Sequence, residues 1–258
     1  MPKKRLNKKY NWKRLNTDPI VYIQSDGLNA KDISTILDSA DTAYHNGESI
    51  LEDVHYDVIV AYYEELTGET RDKIGADVVA GKRVTLPIHM GSMTKVKPDT
   101  SKLKNWIKKY NGPYVLSDKL DGISIMLHYE DENPVPRIYT RGNGKVGSDA
   151  SALGKWMKLP KIVTKKPIYI RGELLISKSD WSYFSGEYKN PRNAVAGLIG
   201  GLVSAKKIKP KYLKRLHFLV FDVSMEPSMK CSDGLKWARK KGFRVVNHKV
   251  SKTVTIKG

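Results

Sequence analysis

Cysteine is almost missing: the 258 residues hold one, Cys231. A single thiol builds neither an internal disulfide nor a multi-cysteine zinc site, which fits a reducing compartment and excludes a zinc finger. Within Met229-Lys230-Cys231-Ser232-Asp233-Gly234 it reads as part of a turn rather than as a nucleophile. Long apolar runs are missing too, so nothing approaches a membrane span in length. The basic start, Met1-Pro2-Lys3-Lys4-Arg5, is not followed by the apolar stretch of a secretory signal. Negative charge is scarce. Lys and Arg number 46 against 27 Asp and Glu, a formal net charge of +19. Such an excess attracts polyanions, nucleic acid foremost, with binding that weakens as salt rises. There is no internal repeat and no low-complexity tract.

What is present divides by texture. Residues 1–17 are basic and polar and read as a flexible terminus. Over 18–68 the pattern is helical. Asn29-Ala30-Lys31-Asp32 is a cap signal ahead of Ile33, Ile36, Leu37 and Ala40 at three- and four-residue spacing. Val54, Val58, Ile59, Tyr62, Tyr63 and Leu66 predict a partner helix, stopped at Thr67-Gly68. A polar linker, 69–100, follows. From 101 to 258 the texture changes. Stretches rich in β-branched and aromatic residues predict strands at 114–116, 124–129, 137–140, 169–176 and 217–223. Turn signals separate them at Asn133-Pro134, Gly142-Asn143-Gly144 and Lys166-Pro167. Helices are expected near 101–110, 150–157, 179–185, 193–202 and 234–241. The fold class is α+β, a small helical unit followed by a larger domain with antiparallel sheets rather than a βαβ array.

The residues that carry chemistry begin at Lys119-Leu120-Asp121-Gly122, which alone is an ordinary turn after a strand. Downstream come Thr140-Arg141-Gly142-Asn143-Gly144, then Ile170-Arg171-Gly172-Glu173-Leu174, then Lys189-Asn190-Pro191-Arg192-Asn193. Turns bearing Arg or Lys, in that order and punctuated by Gly, describe a pocket for a phosphorylated ligand. An amine attacks only in its neutral form, so a nucleophilic lysine calls for neighbouring cations and partial burial. Arg141 and Arg192 are the cations this sequence offers.

The run from Tyr114 to about Val223 resembles the adenylation domain of bacterial-type NAD-dependent DNA ligases. The resemblance implies an ATP-grasp-like nucleotidyltransferase fold in which Lys119 takes AMP from NAD. Leu120, Asp121, Gly122, Arg141, Glu173 and Arg192 match family positions around the nucleotide, and Ser117 stands where the family has an adenine-side Glu. Tyr44-His45 and Asp53-Val54-His55-Tyr56-Asp57 resemble the family's N-terminal unit. There Tyr44, His45, Asp53, Tyr56 and Asp57 would grip the nicotinamide mononucleotide half of NAD. Asp53, Tyr56 and Asp57 share a helix face by spacing, aromatic rings stack on nicotinamide, and acids accept ribose hydroxyls. Pro87–Lys95 resembles the linker beside the adenine, with Ser92 and Met93 as contacts and His89 as a conceivable base. NAD and Mg²⁺ are the implied cofactors, with no residue assigned as a protein ligand to the metal. Nicked double-stranded DNA is the implied partner, no membrane is involved, and the implied compartment is the cytoplasm of a bacterial or phage-infected cell.

The pattern has departures. Ser117 replaces Glu, Asn143 replaces an Asp, and Gly200 replaces a second arginine eight residues after Arg192. The family's Asp-Gly-Val-Val-Ile-Lys strand and its later lysine have no convincing counterpart, Thr255-Ile256-Lys257 being a faint echo. The adenylation domain is therefore expected to be incomplete at its C-terminus. A subunit of a split phage ligase, whose second chain carries the remaining motifs and an OB-fold, is the favoured account. A fragment and a non-catalytic NAD- or DNA-binding homologue are the alternatives. An ATP-dependent ligase or capping-type enzyme would share the Lys-x-Asp-Gly core but have no use for the helical unit.

Overall fold

The computed structural model describes residues 9–45, 50–69, 71, 83–91, 96 and 101–253. The N-terminal unit consists of α1 (Trp12–Leu15), α2 (Pro19–Ser25), α3 (Ala30–His45) and α4 (Asp53–Thr67). Short polar side chains start three of these helices. Asn11 and Asp18 accept hydrogen bonds from the amides of Arg14 and Val21, and Asn29 accepts from Lys31 and Asp32. Gly68 stops α4 with φ +70°, a conformation that costs glycine nothing. Two expectations need correction here. Residues 9–17 are not a loose arm: Tyr10 and Leu15 are buried in the helical core, and Asn16 ties α1 to the backbone of Ile50 and Glu52. The inner stripe of α4 is built on buried Ile59 with half-buried Tyr56 and Tyr63, whereas Val54, Val58 and Leu66 are 63%, 41% and 52% exposed. The helix carries more apolar residues than one stripe can bury, and packing chooses among them.

The larger unit follows in the order β1 (Arg83–Thr85), α5 (Ser101–Lys109), β2 (Tyr114–Ser117), β3 (Ile123–Tyr129), β4 (Arg137–Thr140) and β5 (Val146–Ser148), continuing with β6 (Ile168–Leu175), α6 (Pro191–Val203), α7 (Pro210–Leu213), β7 (His217–Met225), α8 (Cys231–Lys240) and β8 (His248–Ser251). Its main sheet is antiparallel in the order β4-β3-β6-β7, with the smaller pairs β1-β5 and β2-β8 beside it. The helices expected near 150–157 and 179–185 are short 3-10 turns, at Ser151–Lys155 and Trp181–Tyr183. Cys231 opens α8 instead of sitting in a turn, with Gly234 buried against Val223 on β7.

Period-two alternation gives the two faces of the main sheet different jobs. Ile125, Leu127 and Tyr129 of β3 are fully buried among Val195, Leu198 and Ile199 of α6 and Leu235 of α8. The alternate residues Ser124, Met126 and His128 point the other way. Met126 is covered by Leu86 and Met90 of the segment after β1, together with Tyr139. His128 stacks on Tyr169 with centroids 4.6 Å apart. Ser124 is left at the end of this second face, where the functional residues gather.

Candidate nucleotide site

Cross-strand register builds the site. Ser124 on β3 stands directly opposite Glu173 on β6, which in an antiparallel pair places both side chains on one face. On the other side of β3, the amide of Arg141, just past the end of β4, donates to the Ser124 carbonyl at 3.1 Å. Arg141, Ser124 and Glu173 therefore form a row across three strands, although they come from three separate stretches of sequence.

Glu173 is 7% exposed and accepts one hydrogen bond on each oxygen: the Gly122 amide reaches Oε1 at 3.0 Å and the Ser124 hydroxyl reaches Oε2 at 2.7 Å. Burial pushes its carboxyl above the ordinary range, opposed by Ser124, Arg192, the Gly122 amide and Arg141. Burial likewise holds the Arg141 guanidinium below its ordinary value, with Glu173 opposing and Arg192 adding to the shift. The bond from Gly122 anchors the end of the Lys119–Gly122 loop. It also requires glycine: a Cβ there would lie 2.2 Å from the Leu174 carbonyl oxygen.

Asn190-Pro191-Arg192-Asn193 is a helix start written in sequence. The Asn190 side chain accepts from the Asn193 amide at 2.8 Å, and Pro191 occupies the first turn, where a missing N–H costs nothing. Arg192 thus leaves the first turn of α6, and its Nη1 donates to Asp121 Oδ1 at 3.1 Å. The Arg192 side chain is 15% exposed against 73% for Asp121, and its Nε is buried with no hydrogen-bond partner among the described residues. Its guanidinium lies 4.4 Å from the ring centroid of Tyr44 at the end of α3. This contact joins the helical unit to the site. A cation–π contact is worth about 1 kcal/mol, little enough for an incoming aromatic ring or phosphate to displace.

The Thr140–Gly144 turn is held by Asn143, whose Oδ1 accepts from the amides of Lys145 and Val146 at 3.1 and 2.8 Å. An amide oxygen does the turn-closing work open to an Asp at this position, so the substitution removes a charge without opening the loop. Gly142 has φ +52° and the Val146 carbonyl 2.0 Å from where a Cβ would stand. In the helical unit, Tyr56 turns inward and donates to Asp41 at 2.8 Å. Arg71 donates to Asp41 at 3.0 Å and to Asp38 at 2.6 Å.

Of the residues singled out in sequence, the structure gathers Asp121, Gly122, Arg141, Glu173, Arg192 and Tyr44. Leu120 packs on the main core. Lys119 is exposed, so the partial burial expected around a nucleophilic lysine is not present. Ser117 is exposed at the end of β2, opposite His248. Asp57 is exposed on α4, on a different side from the inward-turned Tyr56. The side chains of His45 and Asp53, like residues Ser92, Met93 and 255–257, lie outside the described residues. His89 is exposed, and its carbonyl is 3.5 Å from Arg171 Nη1. Sequence reasoning missed Ser124, Asp41 and Arg71. Ser124 was findable, since it lies two residues after Gly122 in a predicted strand; nothing in the pattern marked the other two.

The buried carboxyl has a testable consequence. An acid whose pKa is higher folded than unfolded favours the fold while protonated. Stability is therefore lost as pH rises from the ordinary carboxyl value through the raised one. Glu173→Gln keeps an acceptor for Gly122 and can donate to Ser124. The difference in Tm between variant and wild type is expected to shift in the variant's favour between pH 4 and 8. A constant difference across thermal melts in that range would count against the buried carboxylate.

The Lys119–Gly122 loop, the buried acid Glu173 and the arginines Arg141 and Arg192 gather at one end of the main sheet, an arrangement suited to a phosphorylated nucleotide. Residues 87–257 match the family described as NAD-dependent DNA ligase adenylation domain, and the chain belongs to that family. It is similar to a DNA ligase of Acanthamoeba polyphaga mimivirus, 35% identical over 239 residues, covering 89% of this chain and 36% of the relative. A putative DNA ligase of Invertebrate iridescent virus 3 is 31% identical over 73% of this chain and 30% of its own length. A DNA ligase of Ruminiclostridium cellulolyticum is 29% identical over 85% of this chain and 36% of its own length. The chain spans about a third of the length of these curated relatives.

Proposed function

We propose that Lys119 attacks the α-phosphorus of NAD, the amine losing a proton as nicotinamide mononucleotide leaves in line and a lysine–AMP phosphoramidate remains. AMP would then pass to the 5′-phosphate of a nick in double-stranded DNA, where the 3′-hydroxyl displaces it. Phosphoryl chemistry of this kind depends on positioning and on charge placed against the phosphate oxygens. Arg192 supplies a buried N–H with no partner among the described residues, and Arg141 a second cation. Mg²⁺ belongs to the proposal: it binds through one or two carboxylates plus substrate phosphates, and Asp121 is an exposed carboxylate beside Arg192. A second ligase subunit carrying the remaining lysine motifs and an OB-fold is part of the same reading, as is a cytoplasmic setting in a bacterial or phage-infected cell. No helix among the described residues is long and apolar enough to cross a membrane.

The observation that carries NAD over ATP is the Tyr44 ring on Arg192. It places an aromatic face of the helical unit against the arginine nearest the nucleophile loop, where the half of a dinucleotide beyond the α-phosphate would lie. Beyond its α-phosphate ATP carries only a pyrophosphate, which has no ring to stack on Tyr44. Intact-mass measurement of the chain after incubation with NAD and Mg²⁺ is expected to show one adenylate adduct, absent with ATP. Tyr44→Ala is expected to cut the rate of NAD-dependent labelling at least tenfold. An adduct from ATP, or labelling indifferent to Tyr44, would reject the NAD assignment.

A further inference from the structure

Beyond the nucleotide site, α6 leads to a basic surface that acids compensate only in part. Between Tyr188 and Leu216 the sequence holds eight Lys and Arg residues and no Asp or Glu. The fold concentrates part of this charge. After α6 the chain turns back through Ala205, at φ +53°, and the amides of Lys206 and Lys207 both reach the Gly201 carbonyl, at 3.2 and 3.4 Å. The return is tight. A Cβ on Gly201 would stand 2.5 Å from the Lys207 carbonyl oxygen, so glycine is what lets the lysine segment lie on the helix end. Beside it Gly197 and Gly200 are exposed on α6; the Tyr188 ring lies 3.4 Å from where a Cβ on Gly197 would stand, and nothing lies within 4 Å of a Cβ built on Gly200. A cleft of 330 Å³ runs here, lined by Glu187, Tyr188, Gly197, Leu198, Lys207 and Lys209.

The lysines are not equivalent. Lys209 is spoken for, paired with Glu187 and lying over the rings of Tyr188 and Tyr212. Lys211 shares Glu187 at 3.9 Å. Lys206 and Lys207 are exposed and make no ion pair with any described residue. Two ammonium groups without an ion pair among the described residues, close to the exposed glycines of α6, form a surface on which a backbone of phosphates can come close. Gly200 lies eight residues beyond Arg192 on the same helix, about 12 Å along its axis. The surface is therefore outside the nucleotide site yet within reach of a polymer threaded through it.

We infer that Lys206 and Lys207, set close to the exposed glycines of α6, seat the sugar-phosphate backbone of the nicked duplex a few nucleotides from the adenylated end. This rests on the DNA reading above and adds the surface that holds the duplex. Each phosphate contact contributes about 0.9 to the slope of log K against log salt. Binding of fluorescent nicked duplex by the full chain, followed by anisotropy from 50 to about 300 mM salt, reads that slope directly.

Lys206→Ala/Lys207→Ala is expected to reduce the slope by about 1.8 and to weaken binding roughly tenfold or more near 0.1 M salt. NAD-dependent adenylation should be unchanged, which reports that the variant is folded. Gly200→Arg added to that double variant is expected to recover most of the binding, because the open face accepts a new cation. A double variant that binds with the wild-type slope, or an arginine at 200 that restores nothing, overturns the assignment of this surface. If the wild-type chain binds no duplex even at low salt, the DNA reading itself fails, and this inference with it.

Discussion

Lys119→Ala is expected to abolish the NAD-derived adenylate adduct while leaving the fold intact. The residue lies in the loop between β2 and β3, its side chain is exposed, and no packing depends on it. Replacing such a side chain changes stability by no more than about 0.5 kcal/mol. On the proposed mechanism the chemical consequence is total, because no other group would take the place of the attacking amine. Lys119→Arg should be equally inactive: a guanidinium keeps the positive charge and never supplies a neutral nucleophile near neutral pH. Intact mass after NAD treatment, with thermal melts of wild type and both variants, makes the test. A labelled Lys119→Ala protein would move the nucleophile elsewhere, and a labelled Lys119→Arg protein would show that charge rather than attack is what the position provides. Because Lys119 is exposed, the burial that activates an amine has to come with the bound dinucleotide or from a further polypeptide segment laid over it.

The second large effect belongs to Gly122, where stability and chemistry fail together. A methyl group at this position would sit 2.2 Å from the Leu174 carbonyl oxygen and 3.1 Å from Glu173 Cγ, and the first of these is backbone that cannot swing away. Either β3 separates from β6 or the loop lifts. In both cases the 3.0 Å bond from the Gly122 amide to Glu173 is strained or lost. Overpacking with a disturbed buried hydrogen bond costs roughly 2–4 kcal/mol. For a chain of this size that lowers Tm by about 5–15 °C. Gly122→Ala should label with NAD at least a hundredfold more slowly, even at temperatures where it remains folded, because the loop carrying Lys119 loses its anchor. A variant melting within a degree of wild type and labelling normally would refute the close approach of β3 and β6 at this point.

Much of the site was legible before any coordinates. Asn190-Pro191 announces a helix start, so Arg192 had to leave the first turn of α6. Gly122 and Gly142 marked the turns just before β3 and just after β4. The strands at 114–117, 123–129, 137–140, 168–175 and 217–225 fell within a residue or two of their expected bounds. Short strands such as β1, β5 and β8 were not legible, because three or four residues carry too little alternation to stand out from loop. The inner face of α4 was misread because Val54 and Val58 are as apolar as Ile59. Which apolar residue faces inward depends on what α3 presents to it.

The sequence by itself determined the family, the candidate residues for its chemistry and the local turns that present them. These depend on side-chain identity, capping and glycine, which act over a few residues. Only the tertiary structure decided which of those residues meet. Ser124 joins Glu173 because two strands pair in one register and not in another. Arg141 completes the row because β4 ends where it does. Tyr44 reaches Arg192, and Arg71 reaches Asp41, across long stretches of chain. Contacts of that kind are fixed by the packing of whole elements, each stabilised by burial of its apolar side. The one-dimensional pattern holds no local signal for them.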